Sequence, residues 1–182
     1  HNVISQLKVI YIFQQKPFYN KLPQYLTTFS KENILSSVAL QSDQFNQSYR
    51  MLITFPIAQY HGKLTQPILG VDCFHHQCPS YDGVTIVLAG RAGRTGFWLT
   101  VVYAFAIIPT EDTNNIFWFL QLCMLHGIDF DCALFTDQGP VLTSANRITQ
   151  QFQVNFNLML CVKHLLQNIW HMYPDLKTHL QQ

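Results

Sequence analysis

Charge is scarce in this chain: only 12% of its 182 residues are Asp, Glu, Lys or Arg, against about 25% in ordinary globular proteins. The formal net charge of +1 provides no basic excess, which excludes a stand-alone nucleic-acid-binding module with a positive face. Long apolar runs are missing as well. The longest, Phe97 to Ile108, contains Thr100 and is about half a membrane span, so a buried strand is expected there. No basic-then-apolar leader with a small-residue cleavage site is visible. The cysteines Cys73, Cys78, Cys123, Cys132 and Cys161 are odd in number and lack the spacing of a disulfide framework. They read as reduced thiols of an intracellular protein.

What the chain does have is apolar material, 48% hydrophobic and 14% aromatic, which is enough for a sizeable core and argues against disorder. Its length fits one domain with an N-terminal extension. The expected division is residues 1–62 as a helix and hairpin extension and 63–182 as the core. The start at His1 and the stop at Gln182, without terminal punctuation, are expected of a fragment of a longer reading frame. The low charge suggests a surface that faces a partner or other parts of a larger protein.

Hydrophobic spacing gives the order of elements. Asn2 to Phe13 and Leu22 to Phe29 read as helices, the second entered through Pro23, which a first turn tolerates. Ile34 to Leu40 and Tyr49 to Ile57 read as strands of a hairpin. A strand ending at Asp72 follows, then Val84 to Ala89, then Phe97 to Ile108, with a glycine-rich connection over Gly90 to Gly96. Thr113 to His126 is helical by spacing, with Ile116, Phe119, Leu120 and Cys123 on one face. Thr110 or Asp112 is placed to cap it and Gly127 to end it. A strand Cys132 to Thr136, a helix Val141 to Phe152, a strand Phe156 to Val162 and a helix from His164 to Tyr173 complete the chain. Three strands, then helix, strand, helix, strand, helix, is the order of a ribonuclease-H-like α/β fold with a mixed sheet.

Two aspartates carry the functional expectation. Asp72 closes the run Pro67-Ile68-Leu69-Gly70-Val71, and Asp137 closes Cys132-Ala133-Leu134-Phe135-Thr136 before Gln138-Gly139-Pro140. Ligands bind beyond the carboxyl ends of strands in open α/β sheets, and two acids so presented suggest a shared divalent-cation site. An Asp after a strand is also a common turn former or helix cap.

In sequence order these blocks resemble the transposase domain of Mutator-like elements. Leu22-Pro23-Gln24-Tyr25-Leu26 is similar to its lead-in and Pro67 to Asp72 to its first catalytic strand. Phe105 to Asp112 with Phe117-Trp118-Phe119-Leu120 is similar to its third strand, acidic turn and aromatic helix. Leu134 to Gly139 is similar to its second catalytic strand, and Cys161-Val162-Lys163-His164 to its Cys-x-x-His signature. The chain departs from the pattern at Asp72-Cys73-Phe74-His75, where family members place Gly or Asn and then Thr. The family's third acid lies beyond the Cys-x-x-His block, and Asp175 stands too close to that block to replace it.

The resemblance implies metal-dependent cleavage and strand transfer of DNA at transposon ends. It also implies a nuclear location, no membrane partner, and a homo-oligomeric full-length protein. Two Mg²⁺ or Mn²⁺ ions would be held by Asp72 and Asp137 with the missing acid. Glu111 is a lesser candidate, either as an outer ligand or as an acid at a helix N-terminus. Cys161 with His164 is either half of a Zn²⁺ site or a packed Cys beside a backbone-bonded His. Cys73, His75, His76 and Cys78 lack the paired spacing of zinc motifs. Trp98, Phe117, Trp118 and Phe119 are expected in the core rather than as base-stacking platforms. Arg91 and Arg94 are either phosphate contacts or a solvated turn. The alternative function is a non-catalytic, domesticated transposase derivative acting as a DNA-associated regulatory scaffold; an expressed but decayed copy is a third.

Overall fold

The computed structural model describes residues 21–42, 49–60, 65–76, 83–92, 99–137 and 139–173. The expected helix at Asn2–Phe13, together with Cys78, Arg94, Trp98 and Asp175, lies outside these residues. The elements are α1 (Leu22–Glu32), β1 (Ser37–Ser42), β2 (Tyr49–Thr54), a 3₁₀ turn (Pro56–Tyr60), β3 (Thr65–His75), β4 (Val84–Ala92) and β5 (Leu99–Ile108). There follow α2 (Thr113–Leu125), β6 (Ala133–Thr136), α3 (Pro140–Phe152), β7 (Asn157–Leu160) and α4 (Val162–Met172).

All seven strands share one sheet in the order β1-β2-β5-β4-β3-β6-β7. β3, β4 and β5 form an antiparallel meander, while β6 and β7 join β3 in parallel. A parallel neighbour requires a crossover, and the helices α2 and α3 supply one each. This meander extended by two crossover strands is the ribonuclease-H-like arrangement, with β1 and β2 added antiparallel at the β5 edge.

Alternation along the strands divides the apolar residues between the two faces. Leu69 and Val71 of β3, Ile86 and Leu88 of β4, Ala104, Ala106 and Ile108 of β5 and Leu134 of β6 join one buried cluster. Ile116, Phe119, Leu120 and Cys123 of α2 and Val141 and Ile148 of α3 close over it. The α2 face is the one its spacing predicts, and all four of its residues are fully buried. On the opposite face, Leu26 of α1 packs with Met51 and Ile53 of β2, backed by Phe105 and Ile107. Leu52, between those two, belongs to the first cluster, which is what a period of two requires.

The boundaries differ from expectation where local chemistry intervenes. The helix α1 runs on to Glu32, because nothing before Asn33 breaks it, and Ile34 and Leu35 then stand exposed in a turn rather than opening a strand. Pro56 lacks the N–H a ladder needs, so β2 ends at Thr54 and a 3₁₀ turn begins. β4 continues through Gly90, Arg91 and Ala92, residues expected to be a hairpin connection. Gly90 is required there: a Cβ on it would lie 2.6 Å from the ring of the fully buried Tyr103. Tyr103 is itself the extra residue of a β-bulge, between Val102 opposite Ala89 and Ala104 opposite Leu88.

Candidate metal-binding site

The parallel pairing of β3 with β6 runs toward the two aspartates. Ile68 lies opposite Ala133, Leu69 opposite Leu134 and Gly70 opposite Phe135. The same offset, continued two residues past the last paired ones, would set Asp72 level with Asp137. Leu69, Val71 and Leu134 point into the core, so alternation sends Asp72 and Asp137 to the other side. There Asp72 is exposed and Asp137 half-buried. Asp72 Oδ1 accepts the Cys73 N–H at 2.9 Å. Asp137 Oδ1 lies 3.4 Å from the Thr136 hydroxyl.

The third parallel strand brings a histidine to the same place. Thr136 pairs with Leu160, and the Cys161 N–H donates to the Thr136 carbonyl at 2.8 Å. That bond ties the start of α4 to the residue before Asp137. His164, in the first turn of α4, brings Nε2 to 3.9 Å from Asp72 Oδ1. Its Nδ1 is buried without a hydrogen-bond partner among the described residues.

Glu111 stands in a different pairing. The turn after β5 places its Oε2 3.2 Å from Nε2 of His75. His75 and Asp72 are three residues apart on an uninterrupted stretch of β3, so they leave the strand on opposite sides. Asp112 caps α2 as expected, accepting the N–H groups of Asn114 and Asn115 at 2.9 Å each. Burial alone would raise its pKa; hydrogen bonds from Thr110, Asn115 and Asn114 outweigh that and hold it below 3.8.

The Cys73 thiol registers the combined field of these acids. Burial raises its pKa far above the ordinary 9.0, and the carboxylates of Glu111, Asp137 and Asp72 raise it further. All three acids singled out in the sequence are thus gathered within electrostatic reach of one side chain. Carboxylate oxygens are the donors a hard divalent cation takes. Asp72 and Asp137 fit such an ion by donor type. Among the described residues no group of three or more His, Cys, Asp or Glu is close enough to hold a metal ion.

The remaining expectations sort cleanly. Phe119 is buried, and Phe117 and Trp118 pack against the core as expected. Arg147 lies 4.3 Å from the centre of the Phe117 ring and donates to Asn114 Oδ1. Arg91 is exposed on β4. Cys161 precedes α4, half-buried, while the His164 imidazole is directed at Asp72. The closeness of His75 to Glu111 and of His164 to Asp72 was not anticipated. The signal available for His164 was its place in the first turn after a strand parallel to the Asp137 strand.

No family model matches the chain, and no curated protein matches it. Among solved structures the chain is similar to the HTLV-2 integrase catalytic core domain, solved in complex with magnesium in a trimeric form. The two are 19% identical with a TM-score of 0.37, over 63% of this chain and 78% of that one. The ribonuclease-H-like assignment rests on the strand order described above, not on this similarity. No helix among the described residues is long and apolar enough to cross a membrane.

Proposed function

We propose that this chain carries the catalytic core, residues 63–182, of a DNA transposase of the Mutator-like kind, with residues 1–62 as an extension. The observation that supports it most is the parallel pairing of β3 with β6, whose offset, continued two residues, would set Asp72 level with Asp137. In-line attack on a phosphodiester is served by two acids on a rigid base, level with one another and open to a polymeric substrate. A pair of divalent ions about 4 Å apart, Mg²⁺ or Mn²⁺, would sharpen the attacking oxygen and steady the leaving one. Asp72 and Asp137 would hold them, and the resemblance implies a further acid after the Cys-x-x-His block. Asp72, exposed at the surface, has room for a phosphate diester beside it. Glu111, bound to His75, acts on the field of the site rather than on the ions. The substrate is DNA at transposon ends, which makes the nucleus the place of action.

The test is Mg²⁺- or Mn²⁺-dependent cleavage and strand transfer by the parent protein on DNA bearing the element's ends. Asp72→Asn and Asp137→Asn are each expected to lower the rate by at least about a thousandfold, or ~4 kcal/mol. Cleavage that survives both substitutions refutes the assignment. Metal-independent DNA binding with no cleavage by the wild type establishes the regulatory-scaffold alternative instead.

A further inference from the structure

Two arginines are held at the end of the sheet that carries the acids, and neither meets a carboxylate. Among the described residues carboxylates form ion pairs with histidines only, Glu111 with His75 and Asp72 with His164. Arg147 of α3 is exposed. Its guanidinium carbon lies 4.3 Å from the centre of the Phe117 ring, and its Nη1 donates to Asn114 Oδ1 at 2.9 Å. Arg50 of β2 lies 5.8 Å from the centre of the Trp118 ring. Phe117 and Trp118 are consecutive on α2 and diverge by about 100° around it, so the two cations flank the helix that begins just after Glu111. Strand pairing places Arg50 at the same end as the acids: His75 and Ile108 both pair with Val84, and Met51, next to Arg50, pairs with Ile107.

A guanidinium laid on an aromatic ring is fixed in direction without losing its charge, and the N–H groups along its edge stay available for phosphate oxygens. A chain with only 11 Lys and Arg in 182 residues has few cations to set against a nucleic-acid backbone. We infer that Arg147 and Arg50 contact backbone phosphates of the DNA that reaches Asp72 and Asp137, one on each side of α2. The inference rests on the DNA substrate proposed above and names residues that hold it. The contact is to phosphate alone and carries no base preference. Arg91 takes no part: it pairs with Thr100, seven residues along β4 from Val84 and about 23 Å of strand away from that end.

The experiment is fluorescence anisotropy of a labelled DNA duplex titrated with the chain, without divalent metal, over a series of salt concentrations and for several sequences. Arg147→Gln and Arg50→Gln are each expected to weaken binding about three- to tenfold for every sequence, and to reduce the slope of log affinity against log salt by about one. Arg147→Lys is expected to keep the slope, and Arg91→Gln to keep both slope and affinity. A merely structural clamp of α3 on α2 would lower the thermal midpoint and leave the slope alone, so an unchanged slope in Arg147→Gln and Arg50→Gln overturns the inference. An equal loss in Arg91→Gln overturns it too, because the cations then act without regard to place. If wild type binds no DNA, the substrate reading fails and the inference with it. If Asp72→Asn and Asp137→Asn abolish cleavage while the arginine variants bind DNA as wild type does, only the phosphate contacts fail.

Discussion

Gly90 has no room for a side chain. Any side chain there meets the Tyr103 ring, whose burial is complete, at 2.6 Å. Gly90→Ala is expected to cost about 1–3 kcal/mol, read as a lower urea midpoint with an unchanged slope. Nothing in the sequence marks this: Gly90 opens a glycine-rich stretch and looks like a turn, and the bulge that swings Tyr103 over it depends on strand pairing. The cap at Asp112 was legible, since an Asp just before an apolar-periodic run satisfies free N–H groups by its own chemistry. Asp112→Ala is expected to lower stability by about 1 kcal/mol. The thiols predict a pH effect of definite sign. Burial first, then Asp129 and Asp131, push Cys132 to about 11, and burial holds Cys123 well above 9.0. The folded state therefore prefers the protonated thiols, and the stability they contribute is whole below pH 9 and is lost as pH rises toward 11. Urea midpoints measured between pH 8 and 11 should fall, and fall less in Cys132→Ala.

The elements were legible where periodicity met burial. α2 was readable because Ile116, Phe119, Leu120 and Cys123 recur at helical spacing and all four enter the core. Short elements were placed less well. β7 occupies only Asn157–Leu160, since Cys161 bonds to Thr136 and the chain turns at once into α4. The same bond ties the start of α4 to β6, and the first turn of α4 then places His164 3.9 Å from Asp72, a detail invisible in apolar spacing. Leu134 is the core residue of β6, fully buried between the face of β3 and the two helices above it. Leu134→Ala is expected to cost about 2–5 kcal/mol, enough to lower the thermal midpoint by several degrees. Because Asp137 directly follows β6, the same change should weaken cation binding beyond what lost stability alone explains.

Over the whole molecule, strand order brings two distant runs of sequence side by side. The sequence shows each aspartate ending an apolar run; the pairing of β6 beside β3, in parallel and with this offset, brings those two runs together. A shift of one residue in that register would send one of the two carboxylates into the core. The resemblance to a transposase family ordered the same blocks without giving the register, the His75–Glu111 pair or the field at Cys73. The most direct test of the account is a double-mutant cycle on Mn²⁺ binding, measured by calorimetry on wild type, Asp72→Asn, Asp137→Asn and the double variant. If the two acids share a cation, the double variant binds no more weakly than the weaker single variant, with a coupling well above the additive expectation. Losses that simply add would place the two aspartates in separate sites and contradict the account.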